Sequence, residues 1–425
     1  MKKLFKTKLV GNTAIYALAN VLNGIIPFLL LPILTRVFTP EEYGLVTLIS
    51  AVIAIMGAFT GLSVHGAVSV KYFDKEIDHP KFVGASLLVL AGSTCAVLVF
   101  LLFVGDKLSE WIHLPKQWLI IAAIASAAQF VINIRLTMWQ VKEQAIRYGF
   151  FQVTQTFFNL TLSLALVFWL VMGWEGRAWG IVMATLVFAC FAIITLHKER
   201  LVYWRGSKQY AKAAMRFGVP LIPHVIGGLV IATSDRFIIA KILGTDSVGI
   251  FAVAVQISMV MNFLVDAMLK SYSPYLFRKL SLVTEKDKEY LVKTTYIIYM
   301  IFFIFSTFYI YVVDILLPLL VGARFNASAT YIPWLVYSAM FSGMYYLVGL
   351  YIVYAVKTHV LSIVTVCVGI FHCLLLYYMV SIEGLLGAAK ATVASSALMF
   401  ILTWIFSARV YPMNWMRVFK RSTYA

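Results

Sequence analysis

Four ionisable side chains stand inside long apolar stretches of this 425-residue chain: Arg135, Asp235, Arg236 and Asp266. An ionised group at the centre of a spanning helix costs about 2.5–3.5 kcal/mol on insertion scales, so each needs a partner or a wet cavity. The arginines suit an anion. A guanidinium is planar, stays charged when buried and bonds two oxygens at once, which fits a diphosphate. The rival reading is a structural ion pair between helices. Asp235 and Arg236 are adjacent, about 100° apart around a helix, and are expected to pair across to other helices rather than with each other. Arg36, Arg177, Lys241 and Lys390 stand at the ends of apolar stretches.

Around these charges lie weaker polar signals. Gln152, Gln155 and Asn159 recur at spacings of three and four, one face of a helix. With Asn20, Asn23, Gln129 and Asn133, they either line a hydrophilic cavity or hold two helices together. His372 sits mid-stretch, as a proton relay or as a satisfied polar contact, the commoner case. Pro27 and Pro32 interrupt the first apolar stretch, and Pro220 and Pro223 the seventh; they are hinges or tolerated kinks. Cys95, Cys190, Cys367 and Cys373 have no metal-ligand spacing and are expected to be small core residues. Neither a phosphate-binding loop nor a kinase or hydrolase signature occurs, so no enzymatic activity is expected and ATP-driven transport by this chain alone is excluded.

Membrane-spanning helices must position these residues. The chain is 62% hydrophobic and 12% charged, more apolar surface than a soluble domain keeps from water. About 20 apolar residues cross a bilayer. Twelve stretches qualify: 11–37, 43–69, 83–104, 118–139, 149–172, 178–196, 217–242, 248–269, 294–317, 331–354, 360–380 and 388–408. Lys and Arg crowd the N-terminus, every second connection and the C-terminal tail, which predicts both termini on the cytoplasmic side. The net charge of +17 is thus a topology signal spread over several segments, which argues against nucleic-acid binding. Trp111, Trp118, Trp169, Trp174, Trp179 and Trp334 near one set of ends, and Trp139, Trp204, Trp404 and Trp415 near the other, are expected to be interfacial anchors. Six stretches precede the basic segment 197–216 and six follow. The expected domains are an N-terminal six-helix bundle (1–196), a cytoplasmic basic linker (197–216) and a C-terminal six-helix bundle with its tail (217–425).

The two halves echo each other. Arg36-Val-Phe-Thr-Pro-Glu-Glu-Tyr-Gly44 and Lys241-Ile-Leu-Gly-Thr-Asp-Ser-Val-Gly249 place base and glycine at the same spacing, offset by 205 residues (44 to 249). Glu175-Gly176 and Glu383-Gly384 repeat at an offset of 208 (176 to 384). Leu34-Thr35-Arg36, Pro40 to Gly44, Ser234-Asp235-Arg236-Phe237 through Lys241 and Gly244, Val248-Gly249-Ile250-Phe251, Leu320-Val321-Gly322 and Gly387-Ala388-Ala389 occur in order along the chain. This ordered set resembles the Wzx-type O-antigen and polysaccharide flippases of the multidrug/oligosaccharidyl-lipid/polysaccharide exporter superfamily.

The resemblance implies an all-α polytopic membrane protein with twelve transmembrane helices in two six-helix bundles around a central, cationic cavity. It implies a flippase in the bacterial inner membrane that moves an undecaprenyl-diphosphate-linked oligosaccharide by alternating access. No cofactor is implied beyond a proton or sodium gradient. Membrane lipids, the polysaccharide polymerase and the chain-length regulator are the implied partners. On this reading Arg135, Arg236, Arg36 and Lys241 are candidate substrate cations, and Asp235 and Asp266 candidate ion-coupling groups. A cation-coupled multidrug exporter and a lipid II flippase of the same superfamily are the alternatives.

Overall fold

A computed structural model describes residues 2–72, 74, 76–204, 207–280, 285–355, 357–413 and 415; the side chains of 2–14, 17, 20, 27, 224, 274, 285–286 and 358 lie outside that description. Among the described residues, all regular structure is helical: α1 (Lys2–Val37), α2 (Pro40–Phe59), α3 (His65–Lys71), α4 (His79–Ile112), α5 (Lys116–Val141), α6 (Ala145–Phe168), α7 (Gly173–Lys198), α8 (Lys208–Gly218), α9 (Ile222–Leu243), α10 (Thr245–Leu280), α11 (Glu285–Leu320), α12 (Ile332–Tyr354) and α13 (Thr358–Val410), with short 3-10 turns between some of them.

Among the described residues nine helices are long and apolar enough to cross a bilayer, ten if one bent pair counts as a span. Large apolar side chains such as Phe103, Ile304, Leu319 and Leu374 point outward, where only lipid accepts them in such number. The chain is a multi-pass membrane protein.

Four of the expected spans depart from one unbroken apolar helix each. The long apolar part of α1 is Val21–Val37. The stretch 43–69 is α2, then a 3-10 turn (Thr60–Ser63) with Gly61, Leu62 and Ser63 all at positive φ, then α3. The last two expected spans share α13, whose 53 residues break at Gly384 (φ 61°, ψ −138°), a conformation glycine alone adopts at low cost.

Two expectations about single residue types fail. Trp118, Trp139 and Trp415 are buried rather than interfacial, Trp118 packing at 5.4 Å against both Trp174 and Trp179. Cys95, Cys190 and Cys367 are exposed and Cys373 is half-buried. In a bilayer the outer face of a span is as apolar as its core, so a small apolar residue is no signal of the inside.

The chain divides into two compact units: Met1–Leu229 with Leu243–Gly249, and Val230–Ile242 with Ile250–Ala425. The first has a core around Phe82, Val131, Ile132, Ile134 and Met138. The second centres on Met261, Leu276, Phe302, Leu347 and Tyr351. Lipid tails are as apolar as leucine, so close approach of small residues, not water exclusion, holds such helices together. Buried Ala123 and Ala125 of α5 and Ala184 and Ala192 of α7 supply small surfaces in the first unit, and Ser338, Ala339, Ala388 and Ala391 do so in the second.

α2 opens with a capping box: Thr39 Oγ1 accepts from Glu42 N (3.2 Å), and Thr39 N donates to Glu42 Oε2 (2.9 Å), with Pro40 in the first turn. Within the first unit this helix start crosses the start of α10 at backbone contact. A Cβ on Gly44 would overlap the Thr245 carbonyl oxygen, and one on Gly249 would overlap that of Pro40. The contact is reciprocal across the 205-residue offset, because Thr245 is the counterpart of Pro40.

Candidate functional site

Helices α5 and α7 end alike, each with a residue in the left-handed region. Glu143 (φ 55°) closes a Gln144 N to Trp139 O bond of 2.8 Å, and Arg200 (φ 53°) a Leu201 N to Leu196 O bond of 2.9 Å. These two ends bring Arg135 and Glu199 together. The Arg135 guanidinium, 0% exposed, donates Nη1 to Glu199 Oε2 at 3.2 Å and Nη2 to Glu199 Oε1, and lies 4.0 Å over the Trp139 ring. Lys142 (3.7 Å) and Arg147 (3.3 Å) reach the same carboxylate. Burial pushes the Glu199 carboxyl up, but the Arg135 hydrogen bond and the charges of Arg135, Lys142 and Arg147 outweigh it and hold the group below the usual carboxylate range. Arg135 is therefore held in an ion pair between helices, the second of the two readings open to it from the sequence.

Arg36 turns back on its own helix, donating to Pro32 O at 2.6 Å. Arg177, which the sequence marks only as a cation at the end of an apolar stretch, is the one held in a polar setting. A close α6–α7 approach, where a Cβ on Gly180 would overlap Ser163, sets it against α6. Arg177 Nη1 donates to Asn159 Oδ1 and Ser163 Oγ, both at 2.6 Å. Among the described residues no carboxylate lies within ion-pair distance of Arg177, and none engages its Nη2 or Nε. The i,i+4 pair Asn159 and Ser163 facing an arginine across a helix hairpin is the signal that could have found it.

The polar stripe of α6 continues away from Arg177. Thr156 Oγ1 donates to Asn23 Oδ1 of α1 at 2.7 Å. Nearby, Tyr16 Oη, Asn23 Nδ2 and Gln152 Oε1 are buried without a hydrogen-bond partner among the described residues. An unsatisfied buried group of this kind costs about 1–3 kcal/mol. The stripe thus both joins two helices, at Thr156, and leaves polar groups that a hydrophilic ligand can satisfy.

In the second unit, Arg236 lies 3.8 Å from Asp235 Oδ1 and donates to Ala232 O at 2.8 Å. The long arginine side chain curls back, which overcomes the 100° separation that had argued against this pairing. Asp235 also acts electrostatically on His372 of α13, which is buried and bonded through Nδ1 to Ser395 Oγ at 3.0 Å. Among the described residues Asp235 Oδ1 has no hydrogen-bond partner. Asp266 is half-exposed and pairs with Lys270 one turn along α10. Lys241 is exposed in the last turn of α9. Pro32 lies in the last two turns of α1, and the Pro27 side chain lies outside the described residues. Pro220 and Pro223 flank a 47° bend between Lys208–Leu221 and Val225–Leu243.

The chain matches the family described as polysaccharide biosynthesis protein over residues 9–280. It belongs to that family. Two proteins of Haemophilus influenzae are similar to this polysaccharide biosynthesis family member. One, of the Lsg locus, is 26% identical over 280 residues, 64% of this chain and 67% of the relative. The other, an uncharacterized membrane protein, is 26% identical over 285 residues, 66% and 68% of the two chains. Among solved structures, an inward-facing multidrug resistance MATE family transporter of the MOP superfamily superposes with a TM-score of 0.67. It covers 93% of this chain and 94% of its own at 17% identity, a likeness of fold. Arg177 and the α6 stripe thus sit in a family member whose fold is that of a transporter.

Proposed function

We propose that the protein is a flippase for an undecaprenyl-diphosphate-linked oligosaccharide, moving it from the cytoplasmic to the periplasmic leaflet of the bacterial inner membrane, with both chain termini cytoplasmic. The observation that carries this reading is Arg177: a guanidinium held by neutral oxygens of Asn159 and Ser163, its Nη2 and Nε hydrogen-bonded by no described residue, at the end of a polar stripe. Neutral holders fix the fork without cancelling its charge, which is what a diphosphate needs. The sugars need hydrogen-bonding groups, and the α6 stripe with Asn23 offers them. Arg36 and Arg236 are further substrate cations in this proposal, while Arg135 serves structure.

Arg177→Ala and Arg236→Ala are each expected to cut surface glycan about ten- to a hundredfold at unchanged membrane level, the loss of one charge-assisted contact. Lipid-linked repeat units then accumulate in the cytoplasmic leaflet. Normal glycan in both variants, with wild-type protein abundance, would sink the assignment.

The fold likeness to a multidrug transporter favours drug export as a second reading. Export of cationic drugs calls for uncommitted carboxylates at the binding stripe, whereas Arg177 is the charge there; raised drug sensitivity with intact glycan in a deletion strain would favour that alternative.

In this proposal Asp235 of the second unit is the ion-coupling group, a reading that its unsatisfied oxygen and its neighbours Arg236 and His372 support. When diphosphate takes Arg236, the carboxylate loses its cation and gains from a proton or sodium ion. Asp235→Asn should therefore make transport in vesicles indifferent to an imposed pH or sodium gradient. A variant still driven by either gradient rules Asp235 out.

A further inference from the structure

We infer that α8 is a docking strip for anionic phospholipid head groups of the leaflet it borders. Lys208, Lys212 and Arg216 recur every four residues, so they line up on one side of the helix, about 6 Å apart along its axis. All are exposed, and no described residue pairs with any of them. The helix contains no acidic residue.

The opposite side of α8 is fixed to the first unit. Tyr210, Ala214 and Gly218 repeat the four-residue spacing about half a turn away. Tyr210 Oη accepts from Asp78 N at 3.2 Å and its ring packs edge-on against Phe82. Ala214 is fully buried, and a Cβ on Gly218 would overlap the Leu62 carbonyl oxygen. The strip is therefore held at a set orientation.

Its depth follows from the charges. Three unpaired cations on one face cannot lie in hydrocarbon, yet α8 sits between the spanning helix α7 and the bend into α9. It must then lie along the membrane boundary, where a basic amphipathic helix meets lipid phosphates. Exposed Tyr203 and Trp204 just before it are side chains of the kind that favours that depth. Positive charge with no internal acid is complementary to a negatively charged leaflet, which selects an anionic phospholipid as the occupant.

The test uses the full chain in nanodiscs of phosphatidylcholine with and without phosphatidylglycerol, with retained lipids counted by native mass spectrometry. Wild type is expected to prefer phosphatidylglycerol, and K208Q/K212Q/R216Q to lose that preference by on the order of a hundredfold. Raised salt should weaken the preference in wild type. The single variant K212Q, at an exposed position, should show a partial loss, so that a folding defect in the triple variant does not decide the matter. An unchanged preference in both variants overturns the proposal. So does undecaprenyl diphosphate added to the phosphatidylglycerol-containing nanodiscs displacing that lipid from the same three residues, since the strip would then serve the transported lipid.

Discussion

Glu199→Ala is expected to lower unfolding free energy by about 3 kcal/mol, the lower end of the range for breaking a buried ion pair. Arg135 is fully buried, and Glu199 answers it while also drawing in Lys142 and Arg147. Removing the carboxylate leaves one guanidinium without solvent and two more bases beside it. The lower end applies because Glu199 itself is 30% exposed and water softens its loss. Replacing both partners, as in Arg135→Met with Glu199→Met, should recover most of the stability, since no orphaned charge remains. Thermal unfolding in detergent measures both; a Glu199→Ala protein as stable as wild type would show the pair to be idle.

The same site gives a pH dependence. The Glu199 pKa is depressed in the folded state, so its contribution is fully present above the ordinary carboxylate pKa and disappears as pH falls through the lower folded value. The stability difference between wild type and Glu199→Gln should therefore shrink in strongly acidic buffer and stay constant near neutrality.

Gly249→Ala should cost about 3 kcal/mol, because its new methyl meets the backbone carbonyl of Pro40 and no side chain can move aside. Gly44→Ala should cost about as much, against the Thr245 carbonyl. Gly57 of the same α2 is the control: a Cβ there meets nothing within 4 Å, so Gly57→Ala should be neutral or raise stability by up to about 1 kcal/mol through helix propensity. Equal melting temperatures for Gly249→Ala and Gly57→Ala would refute the tight crossing.

Much of the architecture was legible because a bilayer leaves few choices: apolar length marks spans, and paired echoes such as Arg36–Gly44 and Lys241–Gly249 mark corresponding helix starts. The site was less so. Helix rotation decides whether Arg135 meets a ligand or Glu199, and rotation is set by packing that one sequence does not display. Glu199 sat unremarked between Lys198 and Arg200 in a segment read for its bases. His372 looked like any polar contact until its neighbours on α9 and α13 were placed. The cysteines and buried tryptophans misled because lipid and protein interior select for the same side chains.

The glycine crossing also ties two distant codons to one fate. Each clash is with a main-chain oxygen, so trimming side chains across the joint relieves nothing; only spreading the helices does, and spreading them makes room at the mirrored position too. A second alanine should then come nearly free once the first is in place, so losses in the double replacement fall well short of the sum of the singles.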